Sequence, residues 1–259
     1  MSSGKTTAGF SNEEVVRLLE LLEGADSVEL KLTVPEPNQR STVEALELDP
    51  LEAQVRQVFF FDTPGLDLDA HGVVVRARRI QGKGGDSIVK LRPVVPSELP
   101  DELRRSGAFR VEVDALPGGF VCSGTLKGSP RAADVRSATA GKLPLRKLFS
   151  KEQRQLYAAH APEGVGLDDL VVLGPIFVLK LSQVPPSFGR KLVTEMWLYP
   201  DGSRILELST RAATTEAFQV AAETRAYLTK RGVNLSGEQE TKTRKALEYF
   251  ARERAEGKS

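Results

Sequence analysis

The chain has 259 residues, 40% of them apolar and 27% charged, an ordinary balance for a soluble globular protein and enough length for a sizeable core. Its 36 basic and 35 acidic side chains leave a formal net charge of +1, so overall charge points to neither DNA wrapping nor an anionic membrane. Any anion site must be a local concentration of Lys and Arg.

The polar stretch 1–12 lacks the apolar centre of a signal peptide. Residues 11–23 read as an amphipathic helix, with Ser11 as N-cap, Glu14 in a capping box, and Val15, Leu18, Leu19 and Leu22 in one stripe. From Ser27 the period changes to two, and Val28, Leu30 and Leu32 alternate with Ser27, Glu29, Lys31 and Thr33 as in a half-buried strand. Further strands are expected at 55–62, 72–79, 87–92, 108–115, 174–181, 191–199 and 203–209. The glycines at 82–85 and the pair Asp201-Gly202 mark hairpins. The Gly/Ser/Ala-rich stretch 117–144 carries no assignment, residues 143–161 read as a basic helix, and 214–231 and 237–254 as two closing helices. Eight strands at mostly hairpin spacing predict an α+β domain spanning 1–259, built on an eight-stranded antiparallel barrel with flanking helices.

Strand residues at i and i+2 share a face. Glu29 and Lys31 therefore face one way, as do Arg76 with Arg78, Lys90 with Arg92, and Arg110 with Glu112 and Asp114. A solvated sheet face is the plain explanation for any one strand. Arg76, Arg78, Lys90 and Arg92, however, crowd one hairpin with cations that repel unless a multiply charged anion neutralises them. Arg forks bind phosphate oxygens in pairs, and carboxylates on other strands can hold a hard cation against the same phosphate.

These strands resemble the CYTH family of class IV adenylate cyclases, thiamine triphosphatases and inorganic triphosphatases. The likeness lies in Ser27-Val28-Glu29-Leu30-Lys31, the turn Phe60-Phe61-Asp62-Thr63-Pro64, the run from Gly72 to Arg76-Ala77-Arg78, Lys90-Leu91-Arg92, and Arg110-Val111-Glu112. It continues through Lys180, Glu195 and Leu206-Glu207-Leu208-Ser209, covering about residues 27–209. The resemblance implies a triphosphate tunnel in which Lys31, Arg76, Arg78, Lys90, Arg92, Arg110 and Lys180 bind phosphate. It also implies Glu29, Lys31 and Glu112 as catalytic residues, and Glu29, Glu112, Glu195 and Glu207 as ligands for Mg²⁺ or Mn²⁺. Ser27 and Ser209 stand where the family carries acids, which thins the metal-binding wall and favours phosphate binding over hydrolysis.

The expected partner is a small phosphorylated molecule, with no DNA and no membrane. The activity is a metal-dependent triphosphatase or an adenylate cyclase; a non-catalytic phosphate-binding module is the alternative. A barrel for an apolar ligand, with its charges outside, is a third reading. Cys122 as the single cysteine excludes an internal disulfide and suits the reducing cytoplasm, while His71 and His160 are too few and too far apart for structural zinc. Ser3-Gly4-Lys5-Thr6 lacks the upstream glycine and strand of a P-loop and reads as a polar tail.

Overall fold

The computed structural model describes residues 12–117, 119–235 and 242–255. The expected N-cap Ser11, the segment Ser3–Thr6 and the start of the last helix before Lys242 lie outside them. Nine strands close a barrel: β1 (Ser27–Val34), β2 (Gln54–Asp62), β3 (Val73–Ile80), β4 (Gly85–Leu91), β5 (Phe109–Leu116), β6 (Gly119–Gly128), β7 (Val171–Gln183), β8 (Leu192–Leu198) and β9 (Arg204–Ala212). Their order around the barrel is β1-β5-β6-β4-β3-β2-β7-β8-β9, with β9 returning to β1.

Two corrections follow for the expected eight antiparallel strands. First, β1 pairs β5 in parallel, setting Ser27 opposite Glu112 and Glu29 opposite Asp114; the other pairs are antiparallel. Second, β6 lies in the glycine-rich stretch left unassigned. Its glycines serve close packing. A Cβ on Gly124 would sit 2.3 Å from Cζ of Phe109, and one on Gly128 would meet Gln153 Oε1 at 2.4 Å.

The flanking helices are α1 (Asn12–Glu23), α2 (Gln39–Ala45), α3 (Asp67–Ala70), α4 (Asp101–Arg105), α5 (Ala132–Thr139), α6 (Lys151–His160), α7 (Ala217–Lys230) and α8 (Lys242–Ala255). α1 buries Leu18, Leu21 and Leu22, whereas Leu19, assigned to the stripe, is 51% exposed. The expected helix 143–161 divides in two. A 3-10 turn covers Leu145–Leu148, and α6 starts afresh behind Ser150, whose hydroxyl accepts from the Gln153 N–H in a capping box.

The barrel is apolar outside and charged inside. Val28, Val75, Val89, Val111 and Val113 point outward into a core completed by α1, α5 and α6. Val34, Leu206 and Leu208 pack with α7 through Tyr227 and Leu228. A third cluster occupies the lumen itself, where Val58, Phe60, Val178, Trp197 and Ile205 meet Ala246, Leu247 and Phe250 of α8. α8 thus seats an apolar plug against part of the interior, and the remaining lumen is polar. No helix among the described residues is long and apolar enough to cross a membrane.

Candidate functional site

The polar lumen is a cavity of about 660 Å³. Period-two alternation puts one residue in two of each strand inside, and all nine strands contribute charged side chains. Glu29, Lys31, Arg76, Arg78, Lys90, Arg92, Arg110, Glu112, Lys180, Glu195 and Glu207 all line it. This placement overturns the reading of an apolar lumen with outward charges. Sequence reasoning missed Arg56, Lys127, Arg211 and Lys242 on the lining and the buried Asp86 behind it, and put Asp114 on the charged face of its strand without giving it a role.

Asp114 organises one end. Fully buried, it takes Lys31 Nζ at 2.6 Å, Arg92 Nη1 at 3.1 Å and Lys90 Nζ at 3.9 Å. Burial opposes its charge, but Lys31, Lys90 and Arg92 outweigh that and hold the carboxyl below its usual range. Lys31 gains correspondingly: burial works against the ammonium, yet Asp114 and Glu29 raise its pKa above the ordinary lysine value. Lys90 does not recover in this way, because its contact with Asp114 is long, and burial pushes it down to about 8.

Arg78 is neutralised by its cross-strand neighbour Asp86, Nε to Oδ1 at 2.7 Å. Arg76, two residues before it, has no ion pair among the described residues. Its Nε has no hydrogen-bond partner, and its guanidinium lies 5.9 Å from the Phe60 ring centroid. Burial, reinforced by Arg78, pushes it down to about 9, so it stays charged at neutral pH. Arg56 also lacks a carboxylate partner among the described residues and donates to Gln54.

The acidic groups divide in two. Glu29, Glu112 and Asp114 offer carboxylate oxygens within 4.8 Å of one another. Ser209 donates to Glu29 at 3.1 Å and Ser27 to Glu112 at 3.4 Å, so the two serines hold the carboxylates beside them. Burial, and then the charge of Glu29, raise Glu112 above the ordinary glutamate range. Glu195 and Glu207 do not join this cluster. Lys242 lies between them, at 2.6 Å and 2.7 Å, and Lys180 takes the other oxygen of Glu195 at 2.8 Å. Burial opposes the Glu195 charge, but Lys242 and Lys180 hold it well below the usual range.

The architecture is shared with solved proteins. A putative adenylyl cyclase from Hippeastrum, described as having a dominant triphosphatase activity, matches with TM-score 0.59 and 17% identity over 82% of this chain and 91% of that one. A putative adenylate cyclase from Bacillus halodurans matches with TM-score 0.57 and 12% identity over 85% of this chain and 97% of that one. The chain has their fold. The likeness bears out, at the level of the fold, the resemblance to the CYTH family carried by the Asp62-Thr63-Pro64 turn and the Arg76-Ala77-Arg78 strand. No model of a known protein family matches the chain, and no curated protein does.

Proposed function

We propose that the lumen binds the polyphosphate group of a small molecule, a triphosphate above all, and hydrolyses its terminal phosphoanhydride. One observation carries the binding half: among the described residues, Arg76 is a cation inside the barrel with no carboxylate paired to it and an unused Nε donor. Keeping a charge unpaired in such a place costs several kcal/mol, of the order measured when one partner of a buried pair is removed, about 3–5 kcal/mol. A multiply charged anion offsets that cost and also takes up Lys90 and Arg56. Lys31, Arg78, Arg92, Arg110, Lys127 and Lys180 surround the same space. Among the described residues the lining contains no aromatic side chain on which a nucleobase could stack, which favours a substrate recognised through its phosphates.

For hydrolysis, a water attacks the terminal phosphorus in line with the bridging oxygen that leaves. Arg76, Lys90 and Lys31 neutralise charge on the equatorial oxygens. Glu112, on the acidic wall beside the phosphates, orients that water, whose proton passes to solvent as the bond to phosphorus forms. The pair Glu29 and Glu112 fits Mg²⁺ or Mn²⁺: two neighbouring carboxylates that repel one another, beside a phosphate site, suit an ion that uses one or two carboxylates and completes its shell with water and phosphate. Such an ion would lower the charge of the phosphate oxygens it contacts. The cysteine content supports a reducing, cytoplasmic setting.

A binding module without turnover is favoured by the serines at 27 and 209 and by the occupation of Glu195 and Glu207 by lysines. Tripolyphosphate with and without Mn²⁺ separates the readings. Binding raises the melting temperature by mass action in both; phosphate release marks the enzyme. Arg76→Ala weakens tripolyphosphate binding by about tenfold to a hundredfold, as expected for a charge-assisted contact of about 1.5–3 kcal/mol. Unchanged affinity in that variant would remove the basis of the proposal.

A further inference from the structure

Glu195 on β8 and Glu207 on β9 are direct cross-strand neighbours facing the lumen. Like charges so placed repel, and a cation between them is what makes the arrangement stable. Here that cation comes from the chain. Lys242, the first described residue of α8, reaches Glu195 Oε2 at 2.6 Å and Glu207 Oε1 at 2.7 Å, and lies 5.1 Å from the Trp197 ring centroid. Both oxygens of Glu195 are engaged, Oε1 by Lys180 and Oε2 by Lys242 and the Trp197 Nε1–H.

We infer that the Lys242 ammonium takes the place of a divalent cation between Glu195 and Glu207, leaving Glu29 and Glu112 as the part of the acidic wall that binds metal. The inference rests on the reading of the lumen as a metal–polyphosphate site. An ammonium suits the position, since it is a compact charge with three donors, here shared between two carboxylates and the face of an indole. It is also hard to displace. Ala246, Leu247 and Phe250, on the same helix, are buried in the lumen's apolar cluster, so a metal ion entering between the glutamates would have to dislodge α8. Glu29 and Glu112 differ in kind. Serine hydroxyls hold them, Lys31 and Arg211 flank them, and no ammonium among the described residues bridges one to the other.

Counting bound Mn²⁺ from the resonance of the free ion tests this, with and without tripolyphosphate. The wild-type chain binds one Mn²⁺. Glu29→Gln removes it, whereas Glu207→Gln leaves its affinity unchanged. Lys242→Met uncovers a second ion, which Lys242→Met combined with Glu207→Gln loses again. No ion or two ions in the wild type, or a loss of affinity of about tenfold or more in Glu207→Gln, overturns the inference. A folded Lys242→Met chain that still binds one ion overturns it too. Should Lys242→Met fail to fold, the wild-type count and Glu207→Gln decide the matter. Tripolyphosphate that does not bind refutes the proposed function but leaves the count with Mn²⁺ alone readable.

Discussion

Arg76, Lys90 and Asp114 show how a single side chain decides what this barrel can hold. Lys90 is the cation whose charge is easiest to remove. Burial lowers it from 10.5 to about 8, so between those values the unfolded chain binds more protons than the folded one. Lys90 therefore contributes stability to the ligand-free protein that grows as pH rises from about 8 towards 10.5. Tripolyphosphate binding moves the opposite way, because the same deprotonation removes a charge that the anion needs. Melting curves across this range, with and without ligand, should diverge in slope, and Lys90→Met should reduce both slopes while leaving the part that Arg76, lowered to about 9, supplies. Asp114 is the converse case. Asp114→Asn leaves Lys31, Arg92 and Lys90 without their shared counterion and should cost about 3–5 kcal/mol in urea unfolding. Tripolyphosphate should then raise the melting temperature of that variant by more than it raises the wild type's.

At the scale of elements, the strand faces were legible because alternation is a local property. Glu29 with Lys31 and Arg76 with Arg78 share a face whatever their strands pair with. Glu112 and Asp114 were equally visible as neighbours on one face, but the three-cation role of Asp114 depends on β1 pairing with β5 and on β4 closing against the far edge of β6. β6 was hidden by its own composition, since Gly124 and Gly128 resemble loop residues until Phe109 and Gln153 are packed against them. Lys242 gave no signal at all. It is 47 positions from Glu195 and belongs to a helix, where no alternation links it to a strand face. α8 itself is held chiefly by the apolar plug. Leu247→Ala should cost about 2–5 kcal/mol, the range for truncating a buried leucine. Urea unfolding measures the loss, and a value near zero would mean that ion pairs alone seat the helix.

The molecule as a whole inverts the usual barrel, with polar groups enclosed and apolar faces covered by helices. An enclosed field of this kind is screened less by salt than a surface patch, so raising ionic strength should weaken tripolyphosphate binding less than it weakens adhesion of the same anion to the protein exterior. The closing seam has a further consequence. Glu29 is contacted by Ser209 across 180 positions of chain, and Ser27 meets Glu112 across 85. β1 must wait, with both edges unpaired, for β5 and then for β9. A chain made only as far as β8 cannot hold the carboxylate pair in its final surroundings, so capture of an anion in the lumen would report that the ring has closed.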